Sequence, residues 1–194
     1  MHRSGISQPR LWMTQPTQTL RDEHADVRRF LVALQAMGRH VAIGGAFPVA
    51  DCADAIRYLR EFVVAVHFRK EGEVVFPAIA MHGTDHDAEQ IGLALRLQDE
   101  ALSIVHSLVL FWEPSGDLTP AECAGFADAV QSLAALCERM VDLEEREIFA
   151  VATMRVPPDD RLDWPTAIAA IHHDRTSRAE WLPLLARLEQ RWHA

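Results

Sequence analysis

LRDEHADVRRFLVAL (residues 20–34) aligns without gaps on LQDEALSIVHSLVLF (residues 97–111), with Leu, Asp and Glu recurring at the same places ahead of the same apolar stripe. Leu20, Val27, Leu31 and Leu34 recur at the three- and four-residue spacing that puts them on one face of a helix. A second pair follows. HFRKEGEVVFPAI, from His67, aligns on MVDLEEREIFAVA, from Met140, matching Glu71 with Glu144, Val75 with Ile148 and Phe76 with Phe149. Upstream, Ala50-Asp51-Cys52-Ala53 echoes Ala121-Glu122-Cys123-Ala124. Three matches in one order at a near-constant offset indicate two helical hairpins related by duplication.

Working outward, helix one runs from about Thr19 to Met37 and stops at the Gly-rich stretch GRHVAIGGAFP. Helix two covers about Asp51 to Met81, with Pro77 expected to kink it or end its regular part. Gly83 and Thr84-x-x-Asp87 are a stop followed by an N-cap, opening helix three from about Asp85 to Trp112. Residues 113–117 are a turn. Thr119-Pro120-Ala121-Glu122 is a capping box that starts helix four, which reaches about Met154. Asp163-Trp164-Pro165 opens a fifth helix, bent at Pro183. Strand signals are nearly absent, and the chain holds no Asn. The expected fold is all-α: an up-down-up-down four-helix bundle over residues 17–154. A flexible tail (1–16) precedes it; a linker and C-terminal helix (155–194) pack alongside.

Composition narrows the function classes. With 194 residues the chain suits one domain with a full core. A net charge of −9 argues against a nucleic-acid partner, which needs clustered Lys and Arg. Cys52, Cys123 and Cys137 are odd in number and widely spaced, so they fit a reducing compartment rather than a disulfide framework. No apolar run approaches the roughly 20 residues of a membrane span, and no secretory signal is visible, so a cytoplasmic location is expected. Dinucleotide and phosphate loops, a nucleophile elbow and Cys/His zinc patterns are all missing.

What remains is a His/Glu constellation. His67 and Glu71 are four apart and project from one helix face. His24 lies beside the apolar stripe of helix one and can point inward. Imidazole and carboxylate converging inside a bundle are ordinary ligands of first-row metals. DEH in a first helix, HFRKEGEVVFP in a second, and a repeat of both resemble the hemerythrin-like (HHE cation-binding) family over about Leu20 to Met154. The resemblance implies a four-helix bundle holding non-haem iron by histidines and bridging carboxylates. It also implies activity toward dioxygen, peroxide or nitric oxide, or in iron sensing. Carried over position by position, His24, His67, Glu71 and Glu144 match the family's ligands.

Two positions depart. Ala101 stands where the third-helix histidine belongs, and Met140 where the fourth-helix histidine belongs. Alanine has no donor atom, and a thioether is a soft one. The expected site is therefore mononuclear: two His and one or two Glu around one iron, with open positions for oxygen, nitric oxide, peroxide or a small oxidisable substrate. His106, about 140° round the helix from Ala101, and Cys137, near the face shared by Met140 and Glu144, are the spare ligands.

Two other readings stay open: a metal-free bundle serving as a binding or regulatory module, and an enzyme whose vacated half-site holds an organic molecule. A filled core around Ala101 favours the first of these, and a cavity the second. His172 and His173 read as surface or interhelix contacts, His82 and His86 as solvated, and Trp112, Trp164, Trp181 and Trp192 as packing anchors. The apolar surface of the last helix is available to its own bundle or to a second copy.

Overall fold

The computed structural model describes residues 16–111, 117–173 and 177–192, and the expected N-terminal tail lies almost wholly outside them. Helix α1 spans Gln18–Ala42. Helix α2 is continuous over residues 49–82. Helix α3 spans Asp85–Leu108 and tightens into a 3₁₀ turn at Val109–Phe111. Helix α4 is continuous over residues 120–155. Helices α1 and α3 each pack along α4, closing the four-helix bundle. The described residues contain no β-strand, and no helix among them is long and apolar enough to cross a membrane.

The caps fall where their residues require. Thr84 accepts from the Asp87 N–H while the Asp87 carboxylate accepts from the Thr84 N–H at 2.7 Å, opening α3. Thr119 and Glu122 do the same for α4, with Pro120 at the first helical position, where no backbone donor is needed.

Helix α1 does not stop at Gly38. A Cβ at Gly38 would lie 3.2 Å from Val130 Cγ1, so this glycine marks where α1 crosses α4 closely. The turn that ends α1 comes later, at Gly44 with φ +86°, a conformation that costs a side-chain-bearing residue.

Pro77 does not break α2 either. The helix widens before it: the Phe76 N–H bonds the Glu71 carbonyl, five residues back rather than four. At the repeat-equivalent place in α4, the Phe149 N–H bonds the Glu144 carbonyl in the same way. The residue corresponding to Pro77 is there Ala150, so proline is not what both wide turns share. They share a leading buried glutamate, and wide turns of this type recur where helices carry functional groups.

The C-terminal segment differs from the expected single helix. It holds two: α5 (Trp164–Ala170) and α6 (Arg178–Arg191). Helix α6 packs on α1 and the start of α2, keeps Pro183 inside it, and buries Trp181, Leu185 and Leu188. Two buried acids secure it. Asp26 accepts from Arg178 at 2.6 Å, and Asp51 accepts from Trp192 Nε1 at 2.8 Å. Helix α5 covers the opposite end, where Trp164 and Ile168 join Leu20, Val75, Phe76, Ile148 and Phe149 in a small apolar cluster. The main core, from Phe30, Phe62, Leu97, Leu133 and their neighbours, fills the rest of the bundle. Between the two clusters, on all four helices, the apolar pattern is interrupted by buried polar residues.

Candidate metal centre

His24 from α1, His67 and Glu71 from α2, and Glu144 from α4 meet in that gap. Each offers one ligand-capable atom, and the four atoms lie within 4.8 Å of one another. All four residues are buried, three of them completely. His24 Nε2 is 3.2 Å from Glu144 Oε2 and 3.5 Å from Glu71 Oε1, and His67 Nε2 is 3.5 Å from Glu71 Oε1. None of these contacts is a formed hydrogen bond. His24 Nε2, His67 Nε2, Glu71 Oε1 and both oxygens of Glu144 are buried without a partner.

The far side of each imidazole explains why. His24 Nδ1 sits 3.1 Å from Glu145 Oε1, which also accepts from Arg28 at 3.0 Å. His67 Nδ1 sits 2.9 Å from Glu23 Oε2, whose other oxygen accepts from Lys70. An ionised carboxylate only accepts, so each Nδ1 is placed to donate to its carboxylate, and each Nε2 faces inward. Glu71 is held similarly, since Gln98 Nε2 donates to its Oε2 at 2.9 Å and leaves Oε1 free.

Lone pairs and carboxylate oxygens facing one another at these distances repel unless a cation or protons lie between them. Burial pushes the Glu71 carboxyl up to about 7, against the lowering effect of nearby His67. Burial and the charge of Glu71 push Glu144 up to about 8, against the pull of His24. Outside this inner group the balance is reversed. Burial alone would raise Glu23, but His67 and Lys70 hold it below the ordinary range; Arg28 and His24 do the same for Glu145. The outer carboxylates thus have cations beside them, and the inner pair has none. As metal ligands, two imidazoles and two carboxylates would together supply a formal charge of −2, which matches a divalent cation. The residues fit a metal.

Apolar rings enclose the group. Phe149 stacks on His24 with centroids 5.4 Å apart and planes within 9°, and Phe68 lies 6.1 Å from His67.

The other sequence candidates fall elsewhere. Ala101 and Met140 are buried in the main core with Phe62, Leu97 and Cys137. This is the filled core that the binding-module reading expects, and it gives no support to an organic pocket beside Ala101. His106 is exposed, outside the group. Cys137 is buried but also outside it; desolvation, with Glu144 and Glu138 nearby, pushes its thiol up to about 12. His172 is exposed and His173 half-buried. His82 is not simply solvated: its Nε2 lies 2.7 Å from Asp160, tying the end of α2 to the linker. Trp164 and Trp181 are buried anchors, whereas Trp112 lies outside the described residues.

The outer carboxylates and Gln98 were not visible to sequence reasoning. Glu23 and Glu145 are chain neighbours of His24 and Glu144, so about 100° of helix separates each from its neighbour, and face-matching discards them. They reach across to the adjacent helix instead. Gln98 faces inward one turn before Ala101, and its amide was a recoverable clue on an otherwise apolar stripe.

No curated protein and no solved structure gives a significant match to the chain. A family model does: the hemerythrin HHE cation binding domain matches residues 15–152, most of the chain and all four helices that build the site. With that match, the chain belongs to the hemerythrin HHE cation-binding domain family.

Proposed function

We propose that the chain is a non-haem iron protein holding one metal ion through His24 Nε2, His67 Nε2, Glu71 and Glu144. The observation that carries this reading is the convergence of one ligand-capable atom from each of four buried residues on three helices, with five of their nitrogen and oxygen atoms unpartnered. Leaving them so in a finished fold costs on the order of 1–3 kcal/mol each, a cost that a cation removes. Two imidazoles with carboxylate oxygens form a donor set suited to Fe(II), with positions left open for dioxygen, nitric oxide or peroxide.

The chain's own residues have separate tasks. His24 and His67 supply nitrogen donors through Nε2, with Glu145 and Glu23 set against their Nδ1 atoms. Glu71, fixed by Gln98 on one oxygen, presents the other. Glu144 has both oxygens free, so it is the residue best placed to ligate with one and take or return a proton with the other. Phe149 and Phe68 exclude bulk water from the imidazoles.

A single ion, rather than the pair usual in this family, follows from Ala101 and Met140, because the space of the missing histidines belongs to the apolar core. The test is metal content by mass spectrometry on protein expressed with added iron and purified without chelator. About one iron per chain, lost in His67→Ala with the helical spectrum unchanged, supports the reading. Two irons, or none after anaerobic Fe(II) addition, refute it.

A further inference from the structure

The outer residues form a pattern of their own. Glu23 precedes His24 on α1, yet it binds His67 on α2. Glu145 follows Glu144 on α4, yet it binds His24 on α1. Each of these helices therefore contributes one residue to the inner group and its chain neighbour to the orientation of a ligand on the next helix. Behind each orienting carboxylate stands a cation from the same helix as the histidine it holds: Lys70, three residues after His67, and Arg28, four after His24. The two braces are not equal. Glu145 and Arg28 are partly exposed, whereas Glu23 is completely buried and Lys70 almost so, with its ammonium 5.8 Å from the centre of the Phe62 ring.

We propose that Glu23, paired with Lys70, is a positioning residue that locks His67 in the tautomer with its proton on Nδ1 and its Nε2 lone pair directed at the metal position. The proposal rests on the metal-binding reading above for its consequence, but not for its geometry. A buried imidazole beside Phe68 and a carboxylate has two tautomers to choose between and a ring free to flip. The 2.9 Å contact to Glu23 Oε2 selects one tautomer and one ring orientation. An ionised acceptor on Nδ1 also makes Nε2 a stronger donor. The Lys70 ammonium pairs with Glu23 Oε1. Its ammonium is the nearest compensation for a carboxylate that would otherwise be an unpaired buried charge, so its effect on the metal runs through Glu23 and then His67. A purely structural Glu23–Lys70 pair would tie α1 to α2 without setting the state of the histidine.

The test uses the full chain with Co(II) as probe and reads two independent quantities. The first is the His67 tautomer in chelator-treated wild type, from long-range nitrogen–proton NMR on ¹⁵N-histidine-labelled protein with His67→Gln for assignment. The proton is expected on Nδ1, and a proton on Nε2 overturns the proposal whether or not any metal binds. The second is Co(II) affinity by competition with a chromophoric chelator. Glu23→Gln is expected to lose roughly 10–100-fold, the usual effect of removing such a partner. Lys70→Met is expected to shift affinity in the same direction and Lys70→Arg to restore it. Both weakened variants should show a shifted Co(II) visible spectrum, which loss of a mere structural tie would not produce. Affinity and spectrum unchanged in Glu23→Gln would overturn the proposal. A wild type that takes up no Co(II) would refute the metal-binding reading instead, leaving the tautomer measurement to decide the role of Glu23.

Discussion

Replacing Glu144 by glutamine should make the metal-free protein more stable, and only at neutral to alkaline pH. Glutamine keeps the shape and removes the charge. In the folded chain, burial and the charge of Glu71 push the Glu144 carboxyl up to about 8, against 4.5 for an ordinary glutamate carboxyl. Below pH 4.5 both the folded and unfolded states hold the proton, and stability is unaffected by ionisation. Between 4.5 and about 8 the unfolded chain releases it and the folded chain does not, so the folded state loses ground as pH rises. At about 1.4 kcal/mol per unit, and allowing for coupling with Glu71, the loss reaches about 3 kcal/mol at pH 8. Glu144→Gln escapes that loss. Its midpoint should therefore rise by roughly 6–12 °C at pH 8, from 2–4 °C per kcal/mol for a chain of this size, and stay near wild type at pH 5. Urea and thermal unfolding of both proteins in chelator, at pH 5 and pH 8, measure the difference directly. A variant less stable than wild type at pH 8, or an equal gain at both pH values, would refute the idea that Glu144 is an uncompensated buried acid.

Other consequences are checked as easily. Adding Fe(II) or Co(II) to chelator-treated wild type at pH 8 should raise the unfolding midpoint, by about 2.7 kcal/mol of stability at 100 times the dissociation constant, with chelator reversing it and His67→Ala abolishing it. Gly38→Val would drive side-chain carbons into Val130 where α1 crosses α4, costing about 1–3 kcal/mol in urea unfolding; a neutral result would mean that the helices slide apart freely. Ala101→His with Met140→His returns two nitrogen donors to the apolar half, and metal content should rise from one ion toward two. Thr119→Ala removes the acceptor that caps α4 and should cost about 1 kcal/mol with metal content unchanged.

The sequence by itself determined the helical class and the internal repeat, and its family resemblance named the four residues that meet. Apolar spacing near 3.6 residues and the capping boxes at Thr84 and Thr119 are local signals, and a helix needs nothing beyond local signals to be recognised. His67 and Glu71 could be paired because positions i and i+4 share a face whatever the tertiary context. Residues whose meaning depends on another helix were a different matter. Gly38 looks like a helix stop until α4 is placed 3.2 Å from where its Cβ would be. Pro77 looks like a break until the wide turn at Glu71–Val75 is seen, with its twin at Glu144–Ile148, where no proline follows. The region after residue 155 gave one amphipathic pattern but folds as two helices, α5 over the Leu20 cluster and α6 along α1 and the start of α2. Above all, Glu23 and Glu145 face away from their own chain neighbours, and only the packing of α1 against α2 and α4 turns them into partners of His67 and His24. Donor identity was written in one dimension. Which nitrogen faces the site, and which oxygen is left bare, was decided by contacts between helices, at separations of 27 to 121 residues along the chain.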